Sequence, residues 1–414
     1  MNLIFLTLYR IDNIENRSIY HDLMRKFRDE GHQVYIVTPC ERRLGLETSL
    51  VENNGVHILN VKTLNVQKTN IVEKGIGTLL IERQYKAAIK KYLGNIKFDL
   101  ITYSTPPITF TNVVNFLKKR NPQAITYLQL KDIFPQNAVD IGMFDEKSVF
   151  NWYFRSKEKS LYKASDYIGC MSPANVKFVL DHNPEIDAKR VEVAPNSIEL
   201  KEERQELSDP GQRKAANYFI RKKYDLPTDK PIFIYGGNLG KPQGIDYLVR
   251  CLEANKNRID SYFVVVGSGT DYNLISEWYG MNKDKNVKLM SSLPKDDYDL
   301  LVRSCDVGLI FLDHRFTIPN YPSRLLSYLE YKMPVICATD VNTDIGKIAE
   351  EKGYGYWCES VKPEDFTALV DKMLASDRKA MGENGYQFLK ENYLVEHTYN
   401  AIMNHFHKTN NNFN

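Results

Sequence analysis

Short runs of β-branched and aromatic residues alternate along the chain with longer stretches of helical periodicity. In the first half the apolar runs are Asn2–Thr7, Gln33–Pro39, Val56–Val61, Leu100–Thr105, Ala124–Leu130, Tyr167–Ser172 and Val191–Asn196. Runs of this length and composition read as strands. Between them, Arg17–Glu30, Ile76–Leu93 and Val149–Ala164 carry apolar residues at helical spacing. Strand and helix in repeated succession give a mostly parallel sheet with helices on both faces.

The segment Glu199–Lys230 interrupts the rhythm. It is rich in Glu, Lys, Arg and Asp, contains Asp209-Pro210-Gly211, and reads as a linker with one amphipathic helix at Arg213–Lys223. The rhythm restarts at Ile232–Gly236 and continues through Ser261–Val266, Val287–Met290, Val307–Leu312, Pro334–Ala338 and Tyr354–Trp357. The pattern predicts an α/β chain of two doubly wound domains, residues 1–200 and 201–392, facing a central cleft. Open parallel sheets bind ligands at the carboxyl ends of their strands, which would line that cleft. The polar tail Thr409–Asn414 reads as disordered.

Length and composition agree with this picture. A chain of 414 residues suits two domains, and 43% hydrophobic with 26% charged residues suits ordinary cores. A net charge of +3 excludes a strongly basic nucleic-acid binder. The six cysteines are scattered, with no Cys-x-x-Cys pair, which points to buried thiols in a reducing compartment rather than to disulfides or zinc. The apolar start Met1–Tyr9 is too short for a signal peptide, and no 18 consecutive residues are apolar. The expectation is a cytoplasmic protein, at most peripheral on a membrane.

Two stretches carry candidate chemistry. After the strand at Ile232 comes Gly236-Gly237-Asn238-Leu239-Gly240-Lys241-Pro242-Gln243-Gly244, then an amphipathic helix. Glycines between a strand and a helix let backbone N–H groups approach a phosphate, and Lys241 can add a point charge. The sequence is neither a Walker A nor a dinucleotide fingerprint. A bare βα turn is the plain alternative. The second stretch, Asn320–Ile336, reads as a helix opened by Pro322 and leading into a buried strand. Ser323, Arg324, Ser327 and Glu330 share one arc of it, opposite Leu325, Leu326 and Leu329. That arc is either a solvated face or a ligand face, with Arg324 for a diphosphate and Glu330 for a ribose.

With these go Ser18–Met24 followed by Gly31-His32-Gln33-Val34, and Lys131-Asp132-Ile133-Phe134-Pro135-Gln136. The four stretches, in this order and spacing, resemble the retaining glycosyltransferases of family 4, in the subgroup similar to amino-sugar transferases of capsule and O-antigen assembly. The resemblance implies the GT-B fold of two Rossmann-like domains, with a C-terminal helix, residues 393–407, returning to the first. It also implies transfer from a nucleotide sugar, UDP-linked, to a glycan or polyprenyl-linked acceptor, with no metal and no other cofactor. The chain departs from the family pattern at several positions. Asn238 and Gln243 stand where many members have Arg and Lys. Pro319 and Ser327 stand where they have paired glutamates. Leu8-Tyr9-Arg10 stands where a Gly-Gly is common.

The donor contacts expected are Gly237, Asn238, Gly240, Lys241, Gln243, Ser323, Arg324, Ser327 and Glu330, with Arg10 and Arg17 as acceptor-binding cations. Asp132, after a strand, either caps a short helical turn or orients the acceptor hydroxyl as the catalytic residue. Asp297-Tyr298-Asp299 matches the Asp-x-Asp of metal-using transferases, but its place at a helix start favours a structural role and no metal site. Residues 62–97 are rich in Lys and Arg around Ile76–Ile81, and form either a solvated helix or a contact with an anionic membrane. Two other functions fit the same architecture, a non-hydrolysing sugar-nucleotide epimerase and a non-catalytic partner of an active transferase. The eight histidines show no cluster suited to the first, and the missing glutamates motivate the second.

Overall fold

The computed structural model describes residues 1–65, 71–200 and 210–411. The chain divides into two compact units, Met1–Glu199 with the helix Val395–Asn411, and Leu200–Leu394.

The first unit is built on β1 (Asn2–Leu6), β2 (Gln33–Glu41), β3 (Ser49–Asn53), β4 (Val56–Thr63), β5 (Leu100–Ser104), β6 (Ile125–Leu130), β7 (Tyr167–Cys170) and β8 (Val191–Val193). They lie in the order β3-β4-β2-β1-β5-β6-β7-β8. All pair parallel except β3 with β4. β1 and β5 are buried along nearly their whole length because helices cover both faces of the sheet. The sequence pattern passes over β3, an edge strand whose residues are mostly exposed. Its signal is the turn that follows, where Asn54 and Gly55 both take positive φ, +47° and +78°, as an Asn-Gly hairpin requires.

The C-terminal helix Val395–Asn411 completes this unit. Val395 and Ile402 join a core cluster with Leu3, Phe5, Phe27, Val34 and Leu100. Thr398 Oγ1 donates to Pro195 O at 3.1 Å, and the His405 ring stacks on Tyr167 at 3.5 Å. The backbone of this helix runs through Asn411, so the disordered tail read from Thr409 does not begin there, and residues 412–414 lie outside the described part.

In the helix Ile71–Tyr92 the apolar side from Ile81 onward faces inward. Ile81, Tyr85, Ala88 and Ile89 are all buried, and the Tyr85 hydroxyl donates to Thr7 O at 2.8 Å. Lys68, in the basic strip, falls outside the described residues.

The second unit carries β9 (Ile232–Asn238), β10 (Tyr262–Ser268), β11 (Val287–Met290), β12 (Val307–Phe311), β13 (Val335–Thr339) and β14 (Gly355–Glu359). The order is β11-β10-β9-β12-β13-β14, all parallel. The reversal of direction at β9 puts the end of that strand at the topological switch point, where such sheets bind ligands. The segment read as a linker is only partly one. Residues 201–209 are outside the described part, but the helix Pro210–Lys223 belongs to the second unit. It buries Ile220, and Arg221 Nη2 meets Asp306 Oδ2 at 2.7 Å.

Candidate functional site

At the switch point of the second unit, β9 runs directly into the glycine turn. Gly237 takes φ of +136° and Gly244 takes φ of +57°, conformations that favour glycine. Lys241–Gln243 form one turn of 3-10 helix, and the helix Ile245–Asn255 follows. Asn238 Nδ2 donates to Gln243 Oε1 at 2.8 Å. The two residues that stand in place of cations therefore brace the turn against each other. Gly240 is buried and Lys241 is exposed.

Arg324 is the first residue of the short helix Arg324–Glu330, with Ser323 at its N-cap. Its guanidinium lies 4.3 Å from the Tyr235 ring centroid. A Cβ on Gly237 would stand 3.1 Å from Arg324 Nη2. The guanidinium is thus held between an aromatic face and the glycine turn, and Arg324 Nη1 is buried with no hydrogen-bond partner. A planar cation with one arm unsatisfied, beside a glycine turn, is suited to an anionic ligand. Tyr328 fixes the helix from below. Its hydroxyl donates to Ile234 O at 3.1 Å and its ring covers Gly308. Leu325, Leu326 and Leu329 are buried, and Ser327 and Glu330 are half-buried on the other side. Arg324 and Glu330 are six residues apart, about 9 Å along the axis. They can contact different parts of one ligand but not the same group.

Tyr235 and Tyr298 were not singled out by the sequence. A Cβ on Gly236 would fall 2.0 Å from the Tyr298 hydroxyl oxygen, so that hydroxyl rests on the turn. Burial pushes the Tyr298 phenol up to about 12, so it stays a neutral hydroxyl. Within Asp297-Tyr298-Asp299, the residue that meets the glycine turn is the tyrosine. Asp297 pairs with Lys223 at 2.6 Å and accepts from the Tyr224 hydroxyl. Among the described residues no three His, Cys, Asp or Glu side chains come together as a metal site.

In the first unit, Asp132 stands at the C-terminal end of β6. Its backbone N–H donates to Thr105 Oγ1 at 3.1 Å, and its Oδ1 accepts from Asn137 Nδ2 at 2.7 Å. The short helix that follows, Gln136–Asp140, is preceded by Pro135 at its N-cap, so Asp132 is not its cap. Burial raises the Asp132 carboxyl to about 6, against the opposing bonds from Asn137 and the Ile133 N–H. Its neighbour Lys131 is lowered to about 7, also by burial. The same sheet edge carries Tyr9 and Tyr20, whose rings lie 5.5 Å apart. Arg10 reaches Asp12 at 3.4 Å. Arg17 Nη2 donates to Glu199 O at 3.0 Å, which ties it to the end of the unit.

Comparison with known proteins accords with this geometry. Residues 18–202 match the model of Glycosyltransferase Family 4, and residues 217–388 that of Glycosyl transferases group 1. The chain is 21% identical over 273 residues to the protein named "Probable glycosyltransferase WbjE" of Pseudomonas aeruginosa, covering 64% of each chain. It is 25% identical over 154 residues to WcaI of Escherichia coli K12, named for colanic acid biosynthesis, covering 36% of each. The matched part thus spans less than two thirds of either relative. Among solved structures, sucrose-phosphate synthase from Thermosynechococcus elongatus superposes with a TM-score of 0.72 at 12% identity, over 99% of this chain and 98% of that one. HepE of Anabaena, solved with UDP-glucose, gives 0.67 at 11% identity, over 99% and 100%. These likenesses establish the GT-B architecture. With both halves of the chain matched by their models, the protein belongs to the family 4, group 1 glycosyltransferases.

Proposed function

We propose that the chain is a retaining transferase that moves a hexose or N-acetylated amino sugar from a UDP-linked donor. The acceptor is a lipid-linked or growing glycan of a surface polysaccharide. The observation that carries the donor assignment is Arg324, stacked on Tyr235, set against Gly237 and left with one arm unsatisfied. Glycosyl transfer develops positive charge at the sugar and negative charge on the departing diphosphate. In this reading Arg324, Lys241 and the backbone N–H groups of the glycine turn stabilise that diphosphate, and no metal is needed.

Asp132 serves the acceptor. With a pKa near 6 it is a carboxylate at neutral pH and can accept a hydrogen bond from a sugar hydroxyl. The departing phosphate takes the acceptor proton, so Asp132 orients rather than deprotonates. The name of WcaI, given for colanic acid biosynthesis, supports a polysaccharide setting. The test is calorimetric titration with UDP in the presence of EDTA, followed by a panel of UDP-sugars with radiolabelled product capture. Binding of UDP only when manganese is restored would overturn the metal-independent reading.

A further inference from the structure

Arg324 opens a short helix, Arg324–Glu330, and Ser323 at its N-cap makes no side-chain capping bond. So short a helix cannot fix its own start. The place of Arg324 is set by the stretch Asp313–Ser323 that leads into it. The slot that the guanidinium occupies is narrow. The Tyr235 ring centroid lies 4.3 Å away on one side, and a Cβ on Gly237 would already stand 3.1 Å from Nη2 on the other. A shift of the leading loop by about 1 Å would spoil this fit.

That loop leaves the sheet after Leu312, whose N–H still donates to Ala338 O at 3.0 Å. From there the turn after β13 holds it. Asp340 follows β13 directly and is buried together with Thr343. Its carboxylate accepts from Asn342 N at 2.9 Å, from Thr343 N at 2.8 Å and from the Thr343 hydroxyl at 2.8 Å. A hydroxyl has one proton, and here it points at the carboxylate. The Thr343 oxygen is left as an acceptor, and it receives the Asn320 N–H at 3.0 Å. Asn342 adds a second hold, its Nδ2 donating to Phe316 O at 2.7 Å. The Tyr321 hydroxyl meets that of Tyr393 as a further anchor of the loop. Burial raises the Asp340 carboxyl to about 6, so at neutral pH it is ionised and acts as an acceptor alone.

We propose that Asp340, Asn342 and Thr343 are positioning residues for the donor, acting on it through Arg324 without touching it. This role rests on the donor reading of Arg324. The chain of contacts has a direction. Asp340 orients the Thr343 hydroxyl, Thr343 fixes the backbone at Asn320, and Arg324 follows soon after in sequence. Loss of the hydroxyl leaves the Asp340 oxygen and the Asn320 N–H unmatched, so the backbone at Asn320 shifts toward another partner. A residue that only fills space at 343 could be valine, which has the shape of threonine. A positioning hydroxyl could not, but serine would serve in its place.

The experiment is calorimetric titration of the whole chain with UDP, carried to millimolar concentration and paired with thermal melts. Thr343→Val should weaken UDP binding by roughly 5- to 20-fold. Thr343→Ser should return it to within about twofold of the native chain. Asp340→Asn, a second variant in case Thr343→Val does not fold, should weaken UDP by roughly 3- to 10-fold, because an amide nitrogen cannot accept the hydroxyl proton. The double variant separates positioning from general support. In an Arg324→Ala chain, Thr343→Val should cost no further affinity, since no guanidinium is left to place. An equal further loss there would make the hydroxyl a prop of the whole unit and overturn the proposal. Native affinity in Thr343→Val, or a serine that fails to rescue, would overturn it too. If Arg324→Ala binds UDP as the native chain does, the donor reading falls and this role with it. A weakened Arg324→Ala beside an unaffected Thr343→Val overturns the positioning role alone.

Discussion

Replacing Arg324 by alanine should separate catalysis from folding. In the unliganded protein the side chain is stabilised by its stack on Tyr235, worth about 0.5–2 kcal/mol. Against this stands the buried Nη1 with no partner, a cost of about 1–3 kcal/mol. The two nearly cancel, so Arg324→Ala should melt within a few degrees of the native chain. Its effect on transfer should be far larger. Loss of one charge-assisted contact to a developing diphosphate costs about 2–4 kcal/mol, or roughly 30- to 1,000-fold in kcat/KM. Arg324→Lys should recover only part of this, since an ammonium keeps the charge but neither the planar stack nor the fork. Gly237→Ala should mimic part of the loss with the cation still present, because a Cβ there stands 3.1 Å from Nη2 and would displace it, and φ is +136°. The assay is steady-state transfer with the true donor, paired with thermal melts of each variant. Arg324→Ala with near-native kcat/KM would refute the donor placement. Activity that falls only in step with the melting temperature would refute the split between the two roles.

Three further outcomes are expected. Because burial raises the Asp132 carboxyl to about 6, its favourable contribution to folding is full below the unfolded value of 3.8 and is lost as pH rises through 6. Asp132→Asn should therefore melt higher than the native chain at about pH 8, lose that advantage at about pH 4, and transfer sugar poorly at both, as scanning fluorimetry and activity will show. Gly236→Ala should destabilise the second unit by about 1–3 kcal/mol, and Tyr298→Phe in the same chain should restore part of it in denaturant titrations, since the nearest clashing atom is that hydroxyl. Lys241→Ala should weaken UDP binding by roughly 5- to 30-fold by calorimetry, in EDTA as without it, with no change in melting.

The sequence reveals most where periodicity and burial coincide. The parallel strands of both units are legible because helices bury them on two faces, so each is a short apolar run. β3 escapes this logic, since an exposed edge strand needs no apolar run and only its Asn-Gly turn marks it. The Ser-Arg helix is legible in its spacing, but the reach of Arg324 onto Tyr235 is not, because it joins residues 89 apart. Tyr298 was hidden between two aspartates whose pattern invites a metal reading. Likewise Val149–Ala164 reads plainly as a helix, but only the packing of its far face shows that Phe150 and Trp152 point into solvent.

The return of the last helix to the first unit has a consequence for biosynthesis. The second unit, Leu200–Leu394, is one unbroken stretch and can fold as soon as it leaves the ribosome. The first unit is translated earlier but cannot finish, because Val395 and Ile402, which cover part of its apolar surface, are made only after the whole second unit. Each forfeits about 1.5–3 kcal/mol of burial until then. A chain that stalls before residue 395 would carry a folded second unit and a first unit with an open apolar seam, a target for chaperones and proteases. Only a polypeptide translated through the helix Val395–Asn411 gains a covered first unit, so the topology itself distinguishes chains made past this helix from those abandoned before it.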